Sequence, residues 1–189
     1  MSEPSPTEDL MREHGLLDRI LLIYEFYLGQ IHQLKPIDLA LLTESTQIIR
    51  SFIEEYHEPM EEKYIFAPLL EKKIEVELIT ELIVQHKVSK LITGKIFTYV
   101  AQSNIPKIDY YIRMFLHMYR AHESREDTVI FNKFREMTPP ARMAELGDEF
   151  ERSETEKFGP DGYERILQRV NQIETNLGIH NLKSYTPDI

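Results

Sequence analysis

The chain has 189 residues, 42% of them hydrophobic, and no cysteine, so it can bury one sizeable domain but has no disulfide, thiolate nucleophile or iron–sulfur ligands. Its formal net charge is −10 and its lysines and arginines do not cluster, which excludes a nucleic-acid surface. The amino terminus lacks the basic and apolar regions of a signal peptide, and no apolar stretch is long enough to span a membrane. We therefore expect a cytoplasmic protein with no nucleic-acid or membrane partner.

Apolar residues recur at helical spacing along most of the chain. The pattern predicts four long helices, over about residues 7–34, 36–64, 76–103 and 106–137. Long helices joined by short turns are typical of an up-down-up-down four-helix bundle. No strand pattern competes, so the predicted fold is all-α.

Beyond the fourth helix the pattern predicts one or two further helices. A helix restarts at Pro140, breaks at the Gly- and Pro-containing segment 158–162 and ends before Gly178. The apolar side of the last helix is expected to pack on the bundle or on a second subunit, and the second case would give a homodimer. We therefore predict two parts, a four-helix bundle over residues 1–137 and a C-terminal helical extension with a loose tail over residues 138–189.

Histidine and glutamate repeat one spacing in the second and fourth helices, where a histidine precedes a glutamate by four residues. Residues four apart share a helix face, so each pair can present an imidazole nitrogen and a carboxylate to one metal ion. The first and third helices each carry one more histidine in phase with the apolar face. Such groups are costly inside a bundle unless a cation compensates them. The predicted ligands of a two-metal cage are His14, His57, Glu61, His86, His122 and Glu126.

Neighbouring polar residues leave alternatives to this set. In the second helix Glu58 and Glu62 compete with Glu61, and Pro59, which has no backbone N–H, is expected to bend the helix there. In the fourth helix Asp127 lies five positions after the histidine, about 140° away in a regular helix, so the preceding glutamate is preferred. The other three histidines are interpreted as surface or outer groups: His32, His117 and His180.

Four stretches resemble hemerythrin and, more closely, the hemerythrin-like HHE cation-binding domains: residues 12–19, 56–68, 85–86 and 121–131. The resemblance covers about residues 7–137 and implies two oxo- or hydroxo-bridged non-haem irons in the bundle. It implies one iron on His14 and His57, the other on His86 and His122, and bridging carboxylates from Glu61 and Glu126. Oxygen-carrying hemerythrins have another histidine four residues after the third-helix ligand, where this chain has Lys90. The resemblance therefore implies a six-ligand site with open positions, which favours reactivity over reversible carriage.

The resemblance implies a protein that binds or reacts with O₂, NO or peroxide, in sensing, scavenging, iron storage or iron-centre repair. Zinc or manganese is an alternative occupant, because imidazole and carboxylate ligands also suit these ions. A hypothesis of another class is a metal-free helical adaptor, in which the histidines and glutamates form core ion pairs and the C-terminal helices bind a partner. The adaptor would lose no stability in the presence of a chelator.

Overall fold

The computed structural model describes residues 5–187, and within this range the fold is all-α, as predicted. The long helices are α1 (Pro6–His32), α2 (39–71), α3 (Val76–Ala101), α4 (105–137), α5 (Pro140–Phe158) and α6 (Gly162–Leu177), followed by a short 3₁₀ turn, Leu182–Tyr185. The first four form the up-down-up-down bundle. No helix in the described part of the chain is long and apolar enough to cross a membrane. Residues 188–189 of the predicted tail lie outside the described range.

Local sequence explains where the helices begin and end. Helix α2 begins after Asp38, whose carboxylate accepts hydrogen bonds from the backbone N–H groups of Ala40 and Leu41 at 2.9 and 3.0 Å. Helix α6 ends at Leu177 and is followed by Gly178, whose φ of +74° favours glycine. The sequence predicted the stop before Gly178, but it placed the start of α2 at about residue 36, three residues before its observed start at Leu39.

Helices α2 and α4 depart from regular α-helical geometry close to the candidate ligands. Three segments have π-helical hydrogen bonding, Ile49–His57, Glu62–Phe66 and Glu126–Ile130. Pro59 lies between the first two, where regular α-helical hydrogen bonding would need the backbone N–H that proline lacks. A π turn holds an extra residue and changes the direction of the side chains that follow it, and such turns are frequent at functional sites. The sequence predicted a bend but not these segments.

The C-terminal extension packs on the bundle of its own chain. Val170 and Ile173 on α6 are buried, and the hydroxyl of Tyr163 donates to the backbone carbonyl of Arg12 on α1 at 3.1 Å. The apolar side of the last helix was predicted to pack either on the bundle or on a second subunit, and in the structure it packs on the bundle. The division of the chain at residue 137 and a homodimer through the C-terminal helices stay predictions.

Replacing Arg19 with alanine is expected to loosen α6 from α1. The Arg19 guanidinium donates to both carboxylate oxygens of Glu174 and to Asn171, and Glu174 is only 6% exposed. Without Arg19 this carboxylate is left poorly paired, so we expect the free energy of unfolding to fall by about 1–3 kcal/mol in urea denaturation. Arg169→Ala is the control, because Arg169 is exposed and its ion pair with the half-buried Glu44 is open to solvent on one side, and its expected change is below about 0.5 kcal/mol. Equal losses in both variants would contradict this assignment.

Candidate metal centre

The six predicted residues meet in one buried layer that crosses the four helices of the bundle. Buried apolar side chains precede and follow this layer on each helix, and no member of the six is more than 3% exposed. Their ligand atoms form two groups within 4.8 Å: His14, His57 and Glu61, and Glu61, His86, His122 and Glu126. Glu61 belongs to both groups, so the structure brings all the predicted residues into one continuous polar cluster.

The four histidines face one another in two pairs. The Nε2 atoms of His14 and His57 are 3.0 Å apart, and we call these residues the α1–α2 pair. The Nε2 atoms of His86 and His122 are 3.2 Å apart, and these form the α3–α4 pair. Two nitrogens that each lie about 2.1 Å from one ion at a right angle are about 3.0 Å apart. Each pair therefore has the spacing of two ligands to a single ion.

The two glutamates lie between the histidine pairs. Oε2 of Glu61 is 3.4 Å from Nε2 of His57 and 3.6 Å from Nε2 of His86, one histidine of each pair. Glu126 also faces both pairs, with Oε1 3.8 Å from Nε2 of His86 and Oε2 3.5 Å from Nε2 of His14. Each carboxylate is thus positioned to contact two ions at once.

All four oxygens of Glu61 and Glu126 are buried and accept no hydrogen bond from residues 5–187. Their contacts with the imidazole nitrogens are close but lack hydrogen-bond geometry. Leaving two carboxylates in an apolar core without donors is expensive, and cations between the carboxylates and the imidazoles would remove that expense. Because the donors are only nitrogen and oxygen, the residues fit iron, zinc or manganese.

The Nδ1 atom of each histidine has its own acceptor outside the layer, at 2.6–3.0 Å. The pairs are His14 with Asp127, His57 with Glu13, His86 with Glu62, and His122 with Gln85. Because every acceptor is an oxygen, these contacts favour the tautomer with the proton on Nδ1. The Nε2 lone pair is then directed into the layer, as a metal ligand requires.

In each histidine pair, one imidazole ring stacks against a phenylalanine ring, which fixes the orientation of the imidazole. Phe131 stacks on His14 with ring centroids 5.6 Å apart, and Phe66 stacks on His86 at 5.8 Å. Both phenylalanines are fully buried, so they also keep solvent from this side of the imidazoles. The rings therefore have little freedom to turn away from the carboxylates.

The three carboxylates that the sequence offered as alternative ligands lie outside the layer of six residues. Glu62 and Asp127 lie behind histidine rings, as the Nδ1 acceptors already described. Glu58 is 1% exposed, accepts a hydrogen bond from the Tyr119 hydroxyl at 2.6 Å and lies 3.0 Å from Nζ of Lys90. The three predicted surface histidines are exposed: His32, His117 and His180.

Glu13 and Gln85 are the outer partners that sequence reasoning missed. Each directly precedes a histidine in the chain but accepts from the histidine of the next helix. Glu13 is only 2% exposed, and an acid so close to an apolar helix face was the available signal. Because each metal-binding histidine needs an acceptor at Nδ1, a buried acid next to such a histidine is a candidate for that acceptor.

Proton affinities in the metal-free layer follow from burial and from the close charges. Burial alone would raise the pKa of Glu61, but the positive charge of His57, with His14 and His86, holds it at about 2. Burial raises the pKa of Glu126 to about 8, and the negative charge of Glu61 adds to this effect. Burial and the charge of His86 lower the pKa of His122 to about 4. The metal-free layer therefore retains protons near neutral pH that an ion would displace.

Comparisons with known proteins agree with this geometry. The family model described as the hemerythrin HHE cation binding domain matches residues 5–134, which include all six residues of the layer. The chain is 36% identical over 186 residues to the uncharacterized proteins Rv1995 of Mycobacterium tuberculosis (strain ATCC 25618 / H37Rv) and Mb2018 of Mycobacterium bovis, covering 95% of this chain and 73% of each relative. No solved structure matches the chain. The chain therefore belongs to the family of hemerythrin HHE cation-binding domains.

Proposed function

We propose that the protein holds two non-haem irons bridged by carboxylates and binds or reacts with O₂, NO or peroxide. The biological role would be sensing, scavenging, iron storage or iron-centre repair. The observation that carries the proposal is the set of four buried carboxylate oxygens without hydrogen-bond donors, facing four imidazole Nε2 atoms. Membership of a cation-binding family also supports a metal site in this chain.

In this proposal each histidine pair holds one ion and the two glutamates contact both. The proposed ligands are His14 and His57, His86 and His122, and the bridging Glu61 and Glu126. Lys90 adds no ligand, because its ammonium group has no lone pair and lies against Glu58. Six protein residues shared by two ions leave coordination positions for a small molecule. Bound there as Fe(II), the ions would supply electron density to a diatomic molecule or to peroxide.

The chain's own residues would keep the site rigid and dry. The acceptors at Nδ1 hold the imidazole protons on the outer side and the ring orientations fixed. The stacked rings of Phe66 and Phe131 limit the entry of water beside the histidines. Small uncharged molecules such as O₂ and NO pass between such buried apolar side chains more easily than large polar substrates do.

The test is metal analysis of protein purified without an affinity tag from cells grown in iron-supplemented medium. We expect about two irons per chain and a near-ultraviolet absorption band that changes on exposure to air. About two zinc or manganese ions per chain would support the cage and contradict the assignment of iron. Metal-free protein whose stability does not change when iron is added would contradict the proposal and favour the adaptor hypothesis.

Metal affinity is expected to fall as the pH decreases below about 8. In the metal-free protein burial raises the pKa of Glu126 to about 8, and the carboxylates Glu61 and Glu13 hold the pKa of His57 above its usual value despite burial. The bound forms of both residues are deprotonated, so below pH 8 an ion must displace protons, and affinity falls about tenfold per pH unit per proton. Zinc competition with a chelator of known proton affinity, at several pH values, measures this. Constant affinity from about pH 6.5 to 8.5 would contradict it.

A further inference from the structure

The two halves of the bundle place their outer hydrogen-bond partners at equivalent positions. The residue before the histidine of α1 is Glu13, and the residue before the histidine of α3 is Gln85. Glu13 accepts from Nδ1 of His57, and Gln85 accepts from Nδ1 of His122. The α1–α2 and α3–α4 pairs are therefore built alike, and the outer residues can be compared position by position.

At this equivalent position one half has a carboxylate and the other a neutral amide. The Glu13 carboxylate is 2.6 Å from Nδ1 of His57 and almost fully buried, so solvent does not screen it. The Gln85 amide oxygen is 3.0 Å from Nδ1 of His122, and this side chain is half-buried. A carboxylate draws the Nδ1 proton more strongly than an amide does. The Nε2 atom of the same ring then donates its electron pair more strongly to a metal ion.

The other histidine of each pair has matched partners. Asp127 accepts from His14 at 2.8 Å and Glu62 accepts from His86 at 2.9 Å. Both acceptors are carboxylates on side chains about one third exposed, 30% and 38% respectively. The main difference between the histidine pairs is therefore the one between Glu13 and Gln85.

A second difference between the two halves also favours a cation at the α1–α2 pair over one at the α3–α4 pair. Four residues after the histidine of α1 the chain has Asp18, whereas the same position on α3 has Lys90. The Lys90 ammonium lies 3.0 Å from the buried carboxylate of Glu58 and compensates its negative charge beside the α3–α4 pair. Lys90 therefore cancels the attraction that Glu58 would otherwise exert on a cation bound at that pair, whereas Asp18 brings no such positive charge to the α1–α2 side.

We infer that the two metal positions are unequal and fill in order, the α1–α2 pair first and the α3–α4 pair second, and that Glu13 and Gln85 set this order. The inference rests on the proposed metal site. Outer partners of metal-bound histidines typically change affinity by about 10–100-fold, so this is the expected ratio of the two dissociation constants. The α3–α4 position is then the one that loses and regains its ion.

The test is a titration of the metal-free protein with Co(II), followed by visible absorption and calorimetry. We expect two phases, the first about 10–100-fold tighter than the second. His57→Ala is expected to remove the tight phase and His122→Ala the weak one. These two variants assign each phase to its pair.

Two isosteric exchanges then test the cause of the difference. Glu13→Gln is expected to weaken the first phase, and Gln85→Glu to strengthen the second, each by about tenfold or more. The double variant is expected to reverse the order of filling. Gln168→Glu is the control, because it adds the same charge on the exposed face of α6 and should leave both phases unchanged.

Different failures have different meanings. Two ions of equal affinity in the unmodified protein, the reverse order of filling, or phases that do not respond to the exchanges at Glu13 and Gln85 would overturn the inference while leaving the metal site in place. A protein that binds no Co(II) at all would overturn the proposed site, and the inference with it. Gain of affinity in Gln85→Glu cannot come from misfolding, so this variant keeps the test decisive if the others are unstable.

Discussion

Glu61→Ala is expected to lose both metal ions. Glu61 is the residue shared by the two ligand groups, its oxygens are fully buried, and no other described side chain donates a hydrogen bond to them. Its removal takes one ligand from each ion and leaves the two positive centres without one of the carboxylates between them. Metal content measured by plasma mass spectrometry should fall from about two ions per chain to nearly none.

Matched variants separate this effect from a general weakening of α2. Glu55→Ala removes an exposed glutamate from the same helix and should retain about two ions per chain. His86→Ala removes a ligand from the α3–α4 pair alone, so about one ion should remain, held by the α1–α2 pair. A folded Glu61→Ala protein that retains both ions would contradict the shared role of Glu61.

Removing metal from the unmodified protein is expected to lower its melting temperature by roughly 10–20 °C. Each ion that binds only the folded chain stabilises it by about 2.7 kcal/mol at a hundred times its dissociation constant, so two ions contribute about 5 kcal/mol. In a chain of this size 1 kcal/mol corresponds to about 2–4 °C. The physical reason is that Glu61 and Glu126 lose the cations that compensate their burial.

The control for this measurement is a His57→Ala, Glu61→Ala protein, which should melt at the same temperature with and without chelator. Calorimetry of both proteins, before and after dialysis against chelator, gives the comparison. The adaptor hypothesis expects no shift in either protein. An unmodified protein loaded with metal that melts at the chelated temperature would contradict the account.

The fold was predictable because its main determinant is periodic and local. Apolar residues at helical spacing located α1 to α4, and residues such as Pro140 and Gly178 marked helix ends. The π-helical segments were not predictable, because the extra residue in a turn such as Glu126–Ile130 depends on how the helix packs against its neighbours. No local sequence signal specifies that change of register.

The layer of six residues was predictable for a similar reason. Each of its histidines and glutamates lies in phase with an apolar helix face, so burial followed from the pattern. The outer partners were harder, because Glu13 and Gln85 accept from a different helix than their own, and the pairing depends on the offset between helices. The sequence favours Glu126 over Asp127 because a residue five positions after His122 lies about 140° away in a regular helix, and in the structure Asp127 accepts from Nδ1 of His14.

The most direct measurement is a crystal structure of the iron-loaded protein with anomalous diffraction data collected at the iron edge. We predict two anomalous peaks about 3.5–4 Å apart. One should lie between Nε2 of His14 and His57, the other between Nε2 of His86 and His122, with Glu61 in contact with both. A single peak, no peak in this layer, or peaks only on the acidic surface would contradict the central claim.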